Sequence, residues 1–325
     1  MRFLFPSPIA MRILFIKTSS LGDVLHHCPA VSDARRRFPD ATIDWVVEES
    51  FSEIASLHLA VHRVIPVGVR RWRKRLAVPS VWAEMLAFRK ALRMEAYDYV
   101  IDTQGLLKSA LIAWHAQGTK HGFDSASARE SVASRFYDVR HRVAREMHAV
   151  ERNRALTASA LGFEPDELVD YGLQARSGKP VMGLARYCVL LSMTSRADKL
   201  WPEDHWSGLV KALSATGWES VFPWGSETEQ ARCRRIVEMA GSGVVARAMT
   251  LGELSSLVSG SRAVIGLDTG LSHLAAALGV PVVGLFCGSD PCLTGLYGRG
   301  KLKNLGGPGQ VPSVDEVARA IRAFD

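Results

Sequence analysis

Three observations predict that this 325-residue sequence is an α/β protein of two doubly wound domains. Its length is roughly twice the ~150 residues of a typical domain. Short apolar runs alternate with amphipathic segments from end to end, the pattern of parallel strands covered by helices on both faces. The alternation weakens once, around Leu161–Lys179, where Gly162, Pro165 and Gly178-Lys179-Pro180 mark a linker, and then begins again. The domains are therefore expected at 1–170 and 171–325. Apolar residues make up 47% of the chain and charged residues 22%, which supplies two cores without disulfides or a structural metal.

The first ten residues precede a second start-like sequence, Met11-Arg12-Ile13-Leu14-Phe15, and read as an extension. Pro6, Pro8 and Arg12 interrupt any signal-peptide apolar region. Arg12–Lys17 (RILFIK) reads as a buried strand, followed by the loop Thr18–Gly22 and a helix over Asp23–Phe38 that Pro39 ends. Thr42–Val47 is the next strand, and Val81–Met94 a helix. Tyr97–Asp102 (YDYVID) is a strand entering the turn Thr103-Gln104-Gly105. In the second half, Tyr187–Ser192 is a strand and Pro202–Thr216 a helix with acids in its first turn, as its dipole favours. Ser220–Pro223, Ala263–Leu267 and Val282–Phe286 read as strands. Glu227–Met239, Leu251–Val258 and Leu271–Leu278 read as helices. Val311–Phe324 closes the chain as a helix that could pack back on the N-terminal domain. Two such halves imply a ligand cleft between the carboxyl ends of their sheets.

Several function classes lose their support. The most apolar stretch, Ala263–Gly288, is broken by Asp268, His273 and Pro281, short of the ~18 clean residues of a membrane span. Five cysteines (Cys28, Cys188, Cys233, Cys287, Cys292) without C-x-x-C spacing read as reduced thiols, not a zinc site or a disulfide framework. No G-x-G-x-x-G follows the first strand and no P-loop or H-E-x-x-H motif exists. The adjacent His26-His27 cannot present both rings on one helix face and reads as an ordinary polar pair.

The net charge of +7 is concentrated. From Val61 to Arg154 there are 18 Lys and Arg against 9 Asp and Glu, and the rest of the chain has 22 against 24. The densest run is Arg70-Arg71-Trp72-Arg73-Lys74-Arg75. Such a patch is either a solvated face or a site for a polyanion: nucleic acid, an anionic membrane or a phosphorylated substrate. Nucleic acid is disfavoured, because no binding signature accompanies the run and a single Trp72 is no stacking platform.

Two turns could carry chemistry. Strand Ala263–Leu267 runs into Asp268-Thr269-Gly270-Leu271-Ser272-His273, which opens a helix. The unpaired amides there form either a plain capped helix start or a phosphate site. Asp23, after the first strand, is either a helix cap or a general base for a substrate hydroxyl.

Taken with their neighbours, these segments resemble the family-9 glycosyltransferases of lipopolysaccharide assembly, over Met11 to about Phe324. The resemblance rests on MRILFIKTSSLGDVLHHCPAVSDA (Met11–Ala34), DWVVEE (Asp44–Glu49), RVIPVGVRRWRK (Arg63–Lys74) and AYDYVIDTQGLLKSA (Ala96–Ala110). It continues in HAVERNR (His148–Arg154), DKLWPEDHW (Asp198–Trp206), PWGSETE (Pro223–Glu229) and GLDTGLSHLAAALG (Gly266–Gly279). It implies the GT-B fold, two Rossmann-like domains facing across a cleft. It also implies inverting, metal-independent transfer of L-glycero-D-manno-heptose from ADP-heptose to Kdo of Kdo-lipid A. Such an enzyme would be cytoplasmic and peripheral on the inner membrane, with no cofactor, no metal and no nucleic-acid partner. Position by position, the resemblance puts the catalytic base on Asp23 and the donor site on Thr194, Ser195, Lys199, Glu229, Asp268, Thr269, Gly270 and His273. It puts the acceptor site on Arg70, Arg71, Arg73 and Lys74. Ser192, Ser195 and the loop Cys287–Cys292 depart from the family pattern. Glu229 reads either as a ribose ligand or as an acid in a helix's first turn. Another family-9 transferase with a different donor or acceptor, or a non-catalytic polyanion-binding protein, are the alternatives.

Overall fold

The computed structural model describes residues 11–175, 183–184, 186–194 and 196–324. The chain divides into two compact units between Gly172 and Leu173.

The first unit runs β1 (Arg12–Ile16), α1 (Leu21–Arg37), β2 (Thr42–Glu48), α2 (Ser52–Ala55), β3 (Arg63–Val67), α3 (Val69–Trp72) and α4 (Pro79–Leu92). It continues with β4 (Ala96–Asp102), α5 (Leu107–His115), β5 (Gln117–Phe123), β6 (Val139–His141) and α6 (Ala149–Leu161). Its six strands are parallel in the order β3-β2-β1-β4-β5-β6, the Rossmann order. Ile13, Leu14, Phe15 and Ile16 of β1 are all fully buried, as a central strand covered on both faces requires. Helix α1 begins two residues before the expected Asp23. Ser20 is its N-cap, which puts Asp23 at the third helical position, where its carboxylate accepts the Ser20 N–H at 2.9 Å.

The second unit runs β7 (Tyr187–Leu191), α7 (Glu203–Ser214), β8 (Glu219–Phe222), α8 (Glu227–Ala240), β9 (Val244–Val245) and α9 (Leu251–Ser259). There follow β10 (Ala263–Leu267), α10 (Gly270–Ala277), β11 (Val282–Phe286), α11 (Pro291–Thr294), β12 (Leu302–Gly306) and α12 (Val314–Arg322). Its parallel order, β12-β11-β10-β7-β8-β9, is the same topology read from the opposite edge. Helix α12 turns Val317, Ala318 and Ile321 into the core of this unit, beside Trp206 and Leu209 of α7.

The elements not anticipated are mostly edge strands and the segment from Leu107 to Leu161. Edge strand β3 contains Pro66, which an interior strand could not accommodate, and β5 (QGTKHGF) is too polar to show as an apolar run. In each sheet the strand order reverses between the first and fourth strands, at β1/β4 and at β7/β10. Ligands of doubly wound folds bind beyond the carboxyl ends of strands at such a switch point.

Candidate active site

The first switch point sets the Asp23 carboxylate among cations. Asp23 follows β1, its side chain 13% exposed, and is paired with Arg129, Nη2 to Oδ1 at 2.7 Å and Nη1 to Oδ2 at 3.3 Å. Burial raises the Asp23 pKa, but Lys17, Arg129 and the Ser20 N–H outweigh it, and the net result is below the ordinary value. Lys17, at the end of β1, is buried, and its ammonium donates to Thr103 O at 2.9 Å and Asn153 Oδ1 at 3.2 Å. Burial, reinforced by Arg129 and Arg152 and opposed by Asp23 and Asp102, lowers its pKa to about 8. Lys108 donates to Ser19 Oγ at 2.9 Å.

The turn after β4 fixes the geometry of the loop after β1. Gln104 Oε1 accepts the N–H groups of Thr18 at 3.1 Å and Ser19 at 3.2 Å. Gln104 is itself held by Asp102, which accepts its backbone N–H at 2.8 Å and the Tyr137 hydroxyl at 2.7 Å. Gly105 has φ +65°, a left-handed conformation open to glycine. His27 is buried against Phe15 and Trp45, and desolvation holds it well below its ordinary pKa. It is a neutral core residue, more deeply buried than the ordinary polar pair the sequence suggested.

The second switch point has a different character. Lys199 Nζ meets Asp268 Oδ2 at 2.6 Å, and Ser289 Oγ donates to the same oxygen. His273 Nε2 lies 3.8 Å from Oδ1, and Thr194 Oγ1 donates to the Asp268 carbonyl at 3.1 Å. Burial opposes ionisation of Asp268, yet His273, Lys199 and Ser289 outweigh it and depress its pKa strongly. Thr269 caps α10 without a side-chain hydrogen bond, the Ser272 N–H donates to the Thr269 carbonyl at 3.1 Å, and Gly270 and Leu271 open the helix. Glu229 is the third residue of α8, with its Oε2 accepting the Gly225 N–H at 2.6 Å and its own N–H bonded to Ser226 Oγ at 3.3 Å. Ser195 lies outside the described residues.

The basic run is not a uniform face. Arg71 is engaged by Glu49 at 2.9 Å and by Glu84 at 2.7 Å, and the Arg70 guanidinium lies 5.4 Å from the Phe51 ring centroid. Arg73, Lys74 and Arg75 are exposed. Trp72, in the middle of the run, is 8% exposed. It packs on Phe88 and donates to Glu84 at 2.9 Å, so it belongs to the core. Sequence reasoning also missed Lys17, Gln104, Arg129, Arg152 and Asn153. The signals were a lysine ending an otherwise apolar strand and the Thr103-Gln104-Gly105 turn, which the Rossmann order sets beside it.

Two Rossmann-like units, each with polar and charged side chains at its switch point, are the GT-B architecture of glycosyltransferases. Residues 85–320 match the model of glycosyltransferase family 9 (heptosyltransferase). The chain is 45% identical over 296 residues to lipopolysaccharide heptosyltransferase 1 of Escherichia coli strain K12, covering 90% of this chain and 92% of that protein. The structure of E. coli heptosyltransferase WaaC with ADP aligns with a TM-score of 0.90 at 41% identity, covering 97% of this chain and 100% of that one. WaaC with ADP-2-deoxy-2-fluoro heptose gives 0.85 at 42% identity, with 97% and 98% covered. The chain belongs to glycosyltransferase family 9 and is an enzyme of that family.

Proposed function

We propose that the enzyme transfers L-glycero-D-manno-heptose from ADP-heptose to a hydroxyl of Kdo on Kdo-lipid A, with inversion and without a metal. The observation that carries this reading is Asp23, a carboxylate kept ionised by surrounding cations yet 13% exposed at a switch point. Asp23 takes the proton of the attacking Kdo hydroxyl while that oxygen bonds to heptose C1 and the bond from C1 to the diphosphate breaks. The departing diphosphate takes up negative charge and needs donors, not a proton. Lys199, Thr194 and the first-turn amides of α10 supply them, with Thr269, Gly270 and His273 shaping the turn. Glu229 holds ribose hydroxyls.

The acceptor is a lipid, so the enzyme works on the cytoplasmic face of the inner membrane, as a peripheral protein. No helix among the described residues is long and apolar enough to cross a membrane. Helices α4 and α5 bury their inner faces in one core cluster and leave Trp82 at 54%, Leu86 at 65% and Trp114 at 58% exposed on their outer faces. Exposed Arg73, Lys74, Arg75, Arg89, Lys90 and Arg93 accompany them, which suits an anionic bilayer. Arg70, Arg73 and Lys74 meet the acceptor's anionic groups, and Arg71 helps once released from its carboxylates.

Release of ADP from ADP-heptose, measured with and without Kdo-lipid A and with EDTA, tests the reading. ADP release that depends on Kdo-lipid A and survives EDTA is expected. Release only with another acceptor would assign a different family-9 activity, and strict Mg²⁺ dependence would remove the metal-free mechanism.

A further inference from the structure

Beside Asp23 lies a small cavity lined by Lys17, Gln104, Arg129, Arg152 and Asn153, holding about 20 Å³ as closed here. Two donors at this cavity are buried with no hydrogen-bond partner, Gln104 Nε2 and Arg152 Nε. The Gln104 amide cannot be turned around to remove the problem. Its Oε1 accepts two backbone N–H groups, and a flip would set its NH₂ against both. Asn153 is likewise fixed, because its Nδ2 donates to His26 O at 2.9 Å and leaves Oδ1 toward Lys17.

The charges are unbalanced too. Three cations, Lys17, Arg129 and Arg152, line the cavity with one carboxylate, Asp23. Arg152 has its guanidinium 4.9 Å from the Phe123 ring centroid and one nitrogen on Ser127 O at 2.7 Å, and the carboxylate that acts on it, Glu146, is not among the residues lining the cavity. Orphaned buried donors and a surplus of cations are each costly, and together they specify a missing anion with several acceptor atoms. A planar carboxylate has four lone-pair positions and matches guanidinium and amide donors.

We propose that Lys17, Gln104, Arg129 and Arg152 form a pocket for the carboxylate of the acceptor sugar acid, directly beside the base. This rests on the transfer reading above and deepens it. Of the cations, only Arg129 is half exposed and paired with Asp23, so it is the one able to turn. An entering carboxylate draws Arg129 off Asp23 and opens the cavity, leaving the Asp23 oxygens for the acceptor hydroxyl. The same contact orients the sugar.

The test uses the whole enzyme, saturating ADP-heptose, and two acceptors: a soluble Kdo glycoside and its methyl ester. The wild type is expected to show a KM for the ester at least tenfold above that for the acid. Gln104→Glu keeps the one oxygen that accepts from Thr18 and Ser19 but replaces the orphan NH₂ by the second oxygen of a negative carboxylate. It should raise the KM for the acid at least tenfold, leave the KM for the ester nearly unmoved, and keep Tm at or above wild type by balancing the cations. Arg152→Gln should narrow the acid–ester gap in the same way, with ADP affinity as the control for folding. Equal KM values for acid and ester in the wild type would overturn the pocket, as would a Gln104→Glu effect equal on both. If neither glycoside accepts heptose, the transfer reading itself fails. The pocket is then decided by calorimetric titration of both glycosides, where equal affinities overturn it and preference for the acid supports it.

Discussion

Replacing Lys17 by Met should stabilise the N-terminal unit at neutral pH, and the gain should disappear as the pH rises. The Lys17 ammonium is 4% exposed and hydrogen-bonded to uncharged oxygens, Thr103 O and Asn153 Oδ1. Burial is the main cause that moves its pKa from 10.5 to about 8. At roughly 1.4 kcal/mol per pH unit, holding the charged form in the fold costs about 3 kcal/mol. The sign follows from linkage. The folded-state pKa lies below the unfolded one, so the unfolded chain binds the proton more tightly. The cost is therefore fully present below about pH 8 and fades as the pH approaches 10.5. Met removes that cost but deprives two buried oxygens of a donor, at about 1 kcal/mol each. The variant should gain about 1 kcal/mol at pH 7 and become less stable than the wild type by about 2 kcal/mol near pH 10.5. Urea unfolding with hydrogen–deuterium labelling of the β1 amides follows this unit separately. The difference between the two proteins, measured from pH 7 to 10, isolates Lys17 from every other titrating group. A difference that stays constant over that range would refute the buried-cation account. A raised acceptor KM should accompany the gain, because the charge that destabilises the fold is the one that receives the anion.

Five further outcomes are expected. Asp23→Asn keeps an oxygen for the Ser20 N–H and so keeps the start of α1, but turnover should fall by about 10²–10⁴ at unchanged ADP affinity; near-wild-type turnover removes Asp23 as the base. Lys199→Ala withdraws the cation 2.6 Å from Asp268 and should lower kcat by about 10²–10³, which steady-state kinetics with ADP-heptose will read. Glu229→Ala should weaken ADP binding about tenfold in calorimetry, the worth of roughly one to two hydrogen bonds; unchanged affinity leaves it as the capping acid its contact with Gly225 describes. Trp82→Ser with Trp114→Ser should reduce binding to anionic vesicles at least about tenfold, with both side chains lost from the interface. Trp72→Phe, a change in the core, should lower Tm and leave vesicle binding as it was.

The fold was legible where burial imposes a pattern. The central strands β7, β10 and β11 are apolar along their whole length, and β1 is apolar from Ile13 on, so their positions follow from composition alone. Edge strands such as β6 and β12 carry charges and glycine because one side meets solvent, and no periodicity betrays them. The site was legible where chemistry sits in one short segment, as in Asp268–His273. It was hidden where the fold joins distant segments. Gln104 reads as an ordinary turn residue until the parallel pairing of β1 with β4 brings it to Thr18. Arg129 and Arg152 belong to the basic region of the N-terminal half, and only the tertiary structure brings both to the cavity beside Asp23. Trp72 shows the converse error. Flanked by arginines it looks exposed, but α3 is a single turn whose one apolar ring faces the core.

The two switch points also bear on the proposal that Asp23, and not Asp268, takes the proton. Each unit sets a lysine and an aspartate at the same topological place, but the pairs are wired differently. Lys199 lies on Asp268 itself at 2.6 Å, and Ser289 shares the same oxygen. With His273 near the second oxygen, both lone-pair edges are taken and the pKa is driven far down, so Asp268 is a fixed negative centre that organises donors. Lys17 instead spends its hydrogen bonds on Thr103 and Asn153 and acts on Asp23 through space. The direct partner of Asp23 is Arg129, whose side chain is 48% exposed and therefore free to leave at small cost. A base must be ionised before the reaction and have an oxygen uncovered during it. The buried lysine secures the first condition without blocking the second, and the exposed arginine can yield the oxygen when an anionic acceptor arrives.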